Sequence, residues 1–235
     1  MVTEPLPPTV HTVWPNAHRI INSKYPPVSL FEDIADPADW ELLASAESKT
    51  NPRLFEGIGK LALVPNERRV AGPGASWVMA PFVHASPDRP GRFHSGEDGA
   101  YYAGDSSEVA LFETIYHFEN FLRATNEPPC SATFRELVGQ IDADLHDLRG
   151  SGFVDCLDPD SYATSQRLAT ELRVQESSGV LYPSVRYRGG LCVALFYPNV
   201  PRIPSQASHY RYHWDGYRVT HVTNLSEGGV FAIVP

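Results

Sequence analysis

The sequence lacks the long apolar runs and the cysteine patterns of membrane-spanning and disulfide-bonded proteins. No apolar stretch approaches the roughly eighteen residues that a bilayer-spanning helix needs. The N-terminal MVTEPLPPTV does not show the basic and then apolar pattern of a signal peptide. The three cysteines are an odd number without CxxC spacing, which argues against a disulfide framework and a zinc knuckle and favours a reducing compartment. We therefore expect a protein without membrane contact, located in the cytoplasm.

Positive charge is also scarce. The chain has 19 Lys and Arg residues against 28 Asp and Glu residues, which gives a formal net charge of −9. Nucleic-acid binding normally needs a basic face that displaces counterions, so this balance argues against direct nucleic-acid binding. A local cluster of arginines could still hold a small anionic ligand.

Several familiar site motifs are missing. There is no GxGxxG and no P-loop, and the glycines near 72–74 have no strand–helix context that would make a phosphate cradle. Ser184 lacks the GxSxG elbow of a hydrolase, so a serine nucleophile is disfavoured. His209 and His213 are four residues apart, which brings metal ligands together only on a helix, and their segment is predicted to be a strand. We therefore expect no metal site.

What is present predicts a single α+β domain. At 235 residues the chain is long enough for one sizeable domain. The Pro-rich residues 1–16 are predicted to form an N-terminal arm and residues 17–235 the domain itself. The main predicted elements are strands at 18–25, 99–104, 131–138, 180–186 and 191–197, helices after Asp105 and at 162–177, and a terminal hairpin at 209–222 that turns at Asp215-Gly216. The strands at 180–186 and 191–197 are predicted to form a hairpin through Arg188-Gly189-Gly190. The second of them is apolar throughout, so it should be a central strand covered on both faces. Residues 76–84 fit either a helix or a buried strand.

The clearest helix follows the strand at 99–104. Asp105 is its predicted N-cap, with Glu108 reaching back three residues later in a capping-box pattern. Apolar residues at i, i+4, i+7 and i+11 predict its core-facing side: Leu111, Ile115, Phe118 and Leu122. The second helix is predicted to end at Gly179, a suitable left-handed residue.

Glu113 lies in the middle of this helix among apolar neighbours. One interpretation is a partly exposed glutamate on the polar side of an amphipathic helix, since Glu119 shows that such a side exists. The other is a carboxylate held in a cleft, where it stabilises positive charge or acts as a base. His117 lies four residues on and therefore on a neighbouring part of the helix surface.

Three further positions are candidates for binding. Arg92 follows a glycine, so its guanidinium could approach a phosphate, although a loop arginine is more often solvated. Arg19 lies in an apolar strand, where a strand-edge charge is the commoner outcome. Tyr101 and Tyr102 alternate on a strand, so one should face the core and the other should be free to stack on a ligand ring or simply to pack.

Taken in order, these segments resemble the RES domain family. The motifs that carry the resemblance are HRI (18–20), YPPV-x-LF (25–31), GRF-x-x-G (91–96), YYA with AL-x-E following, SQ at the start of the second helix, and VLYPSVR-x-x-GG-x-x-x-ALF. They run from about residue 17 to residue 200. No single motif is strong, but the ordered set is fairly specific.

The resemblance implies a fold and an activity. The fold should be similar to that of ADP-ribosyltransferase toxins, with a split, mixed β core flanked by helices. The activity should break the nicotinamide–ribose bond of NAD⁺ by hydrolysis, phosphorolysis or transfer of ADP-ribose, with NAD⁺ as the substrate and no separate cofactor. The best-known members of the family are toxins of bacterial type II toxin–antitoxin pairs, so an antitoxin protein becomes a possible partner.

The family's residues carry over by position. The resemblance implies that Glu113 is catalytic together with Arg92 and Ser184, and that Arg19 and Tyr102 bind NAD⁺. Ser165, at the head of the second helix, is a rival to Ser184 for the serine of the family and is retained as a substrate-binding candidate.

The chain also departs from compact members of the family. It has an insertion at about 34–88, between Arg19 and Arg92, and a C-terminal extension from about 201. These segments could bind a partner, cover the mouth of the site or support homo-oligomers, and they leave open whether the chain has an antitoxin or works alone as a secreted effector. A catalytically silent module that binds a nucleotide or a protein is the alternative from a different class.

Overall fold

The computed structural model describes residues 6–25, 27, 29–32, 36–42, 45 and 58–233. The strands of this part of the chain are β1 (Thr9–Asn22), β2 (Tyr101–Gly104), β3 (Cys130–Asp147), β4 (Gly179–Pro183), β5 (Leu191–Leu195), β6 (Ser205–Trp214), β7 (Val219–Asn224) and β8 (Val230–Ala232). The α-helices are α1 (Ser29–Glu32), α2 (Ala75–Val83), α3 (Ser107–Ala124) and α4 (Ala163–Val174). Short 3-10 helices lie at Pro37–Asp39, Leu61–Leu63, Asn66–Arg68 and Ser151–Leu157. The fold is mixed α+β, as the sequence predicts.

All the described strands belong to one mixed sheet in the order β1-β2-β5-β4-β3-β6-β7-β8. The long strands β1 and β3 also pair with each other, so β1, β2, β5, β4 and β3 close into a ring from which β6 to β8 extend. β3 and β4 pair in parallel, and the other pairs within the described part of the chain are antiparallel.

Alternating side chains of the sheet pack into cores on its two faces. On β5, Val193 and Leu195 join the core that includes α2, while Cys192 and Ala194 join the core that includes α4. A third core packs α3 on β6 and β7. β5 is therefore covered on both faces, which confirms the prediction of a central strand from its uninterrupted apolar sequence.

β1 begins earlier than predicted. It starts at Thr9 and pairs with β3 from Thr9↔His146 onward, so residues 9–16, expected to belong to an arm, are part of the sheet. The pairing register shifts between Trp14 and Ala17, around Pro15. A bulge can accommodate a proline that lacks a backbone donor, and so the strand continues through a residue that would normally end it. Residues 1–5 of the predicted arm lie outside the described residues.

The junction from β2 into α3 differs from the prediction by one residue. Ser106, and not Asp105, is the N-cap of α3, and its hydroxyl accepts a hydrogen bond from the Val109 amide at 3.3 Å. Asp105 instead pairs with Leu191 at the start of β5 through its backbone amide and one carboxylate oxygen. Asp105, which the local sequence favours as the N-cap, is therefore bonded to β5 instead.

Other local predictions were resolved by packing. Residues 76–84, which fit two alternatives, lie in the helix α2 except for its C-cap His84. α4 ends at Val174, and the left-handed residue that follows is Glu176, with φ of 56°, so the prediction that Gly179 ends this helix was wrong. The hairpins β4–β5 and β6–β7 form as predicted, the second turning at Asp215-Gly216 with a φ of 100° at the glycine.

Across the described residues, no helix has both the length and the apolar character needed to cross a bilayer.

Candidate functional site

A cavity of about 560 Å³ lies where the ring of strands, α3 and the loop before β2 meet. Four of the six predicted site residues line it: Arg19 from β1, Arg92 from the loop, Tyr102 from β2 and Glu113 from α3. Ser184 lies directly behind Glu113, whereas Ser165 does not line the cavity. The volume is in the range of small-molecule sites.

One face of α3 forms a wall of this cavity. The residues on that face follow one another at i, i+3, i+4, i+7 and i+11: Ala110, Glu113, Thr114, His117 and Phe121. The adjacent face carries further buried residues, including Leu111, Ile115 and Leu122, which confirms the predicted core stripe. Glu113 therefore belongs to the cavity-lining stripe and not to the fully solvated side of the helix.

The carboxylate of Glu113 is held by Ser184. The Ser184 hydroxyl donates to Glu113 Oε1 at 2.6 Å, and its oxygen accepts from the amides of Arg186 and Tyr187 at 3.2 and 2.9 Å. The single hydroxyl proton of Ser184 is directed at Glu113, so the geometry is suited to positioning the carboxylate. The Cys192 thiol lies 3.7 Å from the same oxygen, and burial, followed by the nearby Glu113, raises the pKa of Cys192 well above its ordinary value.

Ser165 has different surroundings. It is fully buried at the start of α4, and its hydroxyl donates to the carbonyl of Tyr162 at 3.0 Å, within the same turn of chain. The structure thus brings Ser184, but not Ser165, to the carboxylate.

Arg19 and Tyr102 lie together on neighbouring strands. The Arg19 Nη1 donates to the Tyr102 carbonyl at 2.9 Å, and its guanidinium carbon lies 4.8 Å from the centre of the Tyr101 ring. Its Nε is buried and has no hydrogen-bond partner among the described residues. Desolvation lowers the pKa of Arg19, while Tyr101 and Tyr102 act in the opposite direction.

Tyr101 and Tyr102 face opposite sides of the sheet, as their alternation predicts. Tyr101 is buried in the core beneath α2, whereas Tyr102 lines the cavity. The Tyr102 hydroxyl accepts a hydrogen bond from the Phe93 amide at 2.9 Å, and burial raises the pKa of Tyr102.

Arg92 is a buried arginine in the cavity wall. Its Nη1 donates to the carbonyls of Cys156 and Asp158 at 3.0 and 2.7 Å, and its guanidinium carbon lies 4.8 Å from the centre of the Tyr162 ring. These contacts attach the 3-10 segment after β3 to the cavity. Arg92 is therefore buried although it lies in a loop.

Gln166, the second residue of the SQ motif, fixes the turn that bears Arg92. Its side-chain amide donates to the carbonyls of Gly91 and His94 at 2.9 and 3.1 Å. A Cβ at position 91 would lie 2.4 Å from His94 Nε2 and 2.9 Å from the Tyr102 hydroxyl, so this close approach requires glycine. Neither motif carries a local signal for this role of Gln166, because their contact exists only in three dimensions.

The cavity is locally cationic although the protein is acidic. Its lining includes four arginines against two carboxylates, together with three histidines: Arg19, Arg89, Arg92, Arg186, Asp88, Glu113, His18, His94 and His117. Desolvation lowers the pKa of His117, and the charges of Arg186 and Arg92 add to this effect while Glu113 opposes it. Such a lining favours an anionic ligand. The described residues contain no group of three or more His, Cys, Asp or Glu placed to hold a metal ion.

His18 connects the cavity to a second polar network. Its Nδ1 lies 2.8 Å from Oε1 of the buried Glu136, whose other oxygen accepts from the Tyr210 hydroxyl at 3.3 Å. Burial raises the pKa of Glu136, but the hydrogen bonds from His18, Ser107 and Tyr210 outweigh this effect, and the pKa lies below its ordinary value. The network holds β1 and β3 together beside the cavity.

His94 predicts a pH dependence of stability. Burial lowers its pKa from 6.5 to about 4; Asp98 opposes this shift, whereas Arg173 and His117 add to it. Between these two pH values the unfolded chain binds more protons than the folded one, so stability present above pH 6.5 is lost as the pH falls toward 4. We expect His94→Gln to reduce the loss in unfolding free energy between about pH 7 and pH 4.5 by about 2 kcal/mol, measured by urea titrations at both pH values. Equal losses in the variant and the wild type would contradict this assignment.

The fold and this cavity define an α+β protein with a cationic pocket around one positioned glutamate. The chain belongs to the RES domain family, which matches residues 66–215. That match begins within the predicted insertion and ends within the predicted extension, and it leaves Arg19 outside it.

The chain is also similar to individual proteins. An uncharacterized protein, y4oC, of Sinorhizobium fredii (strain NBRC 101917 / NGR234) is 28% identical over 213 residues, which cover 90% of this chain and 88% of the relative. The crystal structure of the M. tuberculosis MbcT–MbcA toxin–antitoxin complex contains a chain that is 12% identical, with a TM-score of 0.46 over 88% of this chain and 87% of the other. This second likeness is too distant to support an argument about the site.

Proposed function

We propose that this protein consumes NAD⁺ by cleaving its nicotinamide–ribose bond. The observation that carries the proposal is the carboxylate of Glu113, which is positioned by Ser184 on the wall of a cationic cavity. Loss of nicotinamide leaves a ribose with oxocarbenium character, and a fixed carboxylate beside it stabilises that cation. Membership of the RES domain family supports the same chemistry.

The remaining residues fit the other parts of this substrate. The arginines Arg19 and Arg92 would favour the negatively charged pyrophosphate, through their charge even where some of their donors are already used. The Tyr102 ring lines the cavity and offers an apolar surface for a planar group. Each of these roles is part of the proposal.

The acceptor of the ADP-ribosyl group decides the name of the reaction. Purified protein, free of any bound antitoxin, is incubated with NAD⁺ with and without phosphate, and the products are followed by mass. Free ADP-ribose indicates a glycohydrolase, a phosphorylated ADP-ribose that forms only with phosphate indicates a phosphorylase, and a protein that gains the mass of ADP-ribose indicates a transferase. No loss of NAD⁺ under any of these conditions would overturn the proposal, and binding without turnover would support a silent nucleotide-binding module.

The two candidate serines are distinguished by a matched pair of variants. We expect Ser184→Ala to lower NAD⁺ consumption by about 10- to 100-fold, because Glu113 loses the donor that orients it. Ser165→Ala should change consumption by less than about twofold, because its hydroxyl bonds only within its own turn. Initial rates at saturating NAD⁺ and melting curves of both variants check this prediction. The reverse order of effects would assign the family serine to Ser165.

We further propose that the protein acts as the toxin of a toxin–antitoxin pair in the cytoplasm. This part of the proposal rests on the family alone. Expression of the wild-type chain should deplete cellular NAD⁺ and stop growth, and co-expression of a protein that binds the chain as its antitoxin should restore growth. Undiminished growth, with active protein present in the cells, would argue for another biological role.

A further inference from the structure

Phe121 is an exposed aromatic side chain on the cavity wall. It is 55% exposed and lines the cavity on the same face of α3 as Glu113, while the next residue, Leu122, is buried. None of the hydrophobic cores of the described residues includes Phe121. A single exposed phenylalanine is ordinary on a surface, but at this position a bound ligand would cover the ring.

The spacing along α3 separates Phe121 from the reaction centre. Phe121 is eight positions after Glu113, which corresponds to about 12 Å along a helix axis. His117 lies midway on the same wall. A ligand that reaches both ends must therefore be extended. A dinucleotide has this form, since a pyrophosphate joins its two nucleosides, and the arginines of the lining suit that connection.

Among the four arginines that line the cavity, Arg89 is the one whose guanidinium makes no hydrogen bond or ion pair with the described residues. The side chains of Arg19, Arg92 and Arg186 each donate to a backbone carbonyl. In the part of the chain that the structure describes, Arg89 is exposed on the cavity lining and its guanidinium has neither a hydrogen bond nor an ion pair. Its planar fork is well suited to a phosphate.

We propose that Phe121 and Arg89 form a distal subsite, in which the Phe121 ring stacks on the adenine base of NAD⁺ and Arg89 binds the pyrophosphate. The inference rests on the proposed function for the identity of the ligand and extends it by naming what selects a dinucleotide over a mononucleotide. The nicotinamide end then lies at Glu113 and the adenine end at the exposed part of the same helix.

Two half-ligands test this subsite. ADP carries the distal base and the phosphates without the scissile bond, and nicotinamide mononucleotide carries the scissile bond without the distal base. We expect Phe121→Ala to weaken ADP binding by about 5- to 100-fold, the range that stacking of a base on an aromatic ring gives, and to raise the KM for NAD⁺ similarly. Its kcat for NAD⁺ and its turnover of nicotinamide mononucleotide should stay within about twofold of the wild type.

Three controls sharpen the result. Phe121→Trp should retain ADP binding, because it keeps an aromatic face. Phe231→Ala removes an equally exposed ring (51%) on the edge strand β8, away from the cavity, and should leave ADP binding unchanged. Arg89→Gln should weaken binding of ADP but not of adenosine, since it removes only the contact with phosphate.

The outcomes separate this inference from the proposed reaction. Failure of ADP to bind the wild type, or equal ADP affinity in Phe121→Ala and the wild type, overturns the subsite even if NAD⁺ is consumed. Equal loss of turnover with NAD⁺ and nicotinamide mononucleotide also overturns it, because the effect would not depend on the distal base. ADP binding that depends on Phe121 in a protein that never consumes NAD⁺ supports the subsite and overturns the reaction.

Discussion

Replacement of Glu113 by glutamine is expected to lower NAD⁺ consumption by about 100- to 1,000-fold. The glutamine side chain has the same shape, and its carbonyl oxygen can still accept the hydrogen bond that Ser184 donates to Glu113 in the wild type. What it lacks is the negative charge that stabilises the cation left by departing nicotinamide. The expected loss is of the size seen when one preorganised electrostatic group is removed from an active site.

A glutamate on the same helix provides the control for this prediction. Glu108 is exposed near the N-terminus of α3 and does not line the cavity, so Glu108→Gln should consume NAD⁺ at close to the wild-type rate. Initial rates at saturating NAD⁺ are compared for both variants, together with their melting temperatures. A folded Glu113→Gln protein that keeps half or more of the wild-type rate would refute the catalytic assignment of Glu113.

Replacement of Arg173 by methionine is expected to lower the free energy of unfolding by about 3 kcal/mol. Arg173 extends from α4, and its side chain is only 15% exposed. It donates to the carbonyls of Phe93, Gly99 and Phe196 at 3.2, 2.8 and 3.3 Å. Its Nε lies 2.7 Å from Asp98 Oδ2 outside hydrogen-bonding geometry, so that contact is an ion pair. Methionine would leave the Asp98 carboxylate and three carbonyls without this cation.

The matched control for Arg173 is an exposed arginine on the same helix. Arg167→Met should change the free energy of unfolding by less than about 0.5 kcal/mol, because Arg167 is exposed. Urea unfolding of both variants at neutral pH measures the difference. Equal losses in the two variants would show that the Arg173 contacts do not stabilise the fold. Arg173 donates to the carbonyl of Phe93, which is adjacent to Arg92 in the chain. The destabilised variant should therefore also consume NAD⁺ more slowly.

Periodicity and local patterns predicted much of the secondary structure. The stripe from Leu111 to Leu122 identified α3 and its buried face, and the uninterrupted apolar sequence of β5 identified a strand covered on both sides. These predictions succeeded because burial of a regular element imposes a period on its own sequence. Three predictions failed: the N-cap at Asp105, the end of the helix at Gly179 and the extent of the N-terminal arm. All three concern element ends, where contacts with other segments override local preference.

The site could be predicted only in part. The order of motifs brought Arg19, Arg92, Tyr102, Glu113 and Ser184 together as candidates, and the structure places four of them on one cavity with the fifth behind Glu113. The sequence carries no local signal for the choice between Ser184 and Ser165, for the role of Gln166 or for the presence of Phe121 on the cavity wall. Each depends on a contact between residues far apart in the sequence.

The sequence by itself determined an α+β chain without a long apolar run, an amphipathic helix with a carboxylate off its core stripe, and the order of motifs that resembles the RES domain family. Those properties follow from residue type and spacing. Only the tertiary structure decided that the carboxylate faces a cavity and that a serine 71 residues away holds it. The reason is physical: a helix period fixes which side chains share a face, but the packing of that helix against the ring of strands fixes what the face contacts.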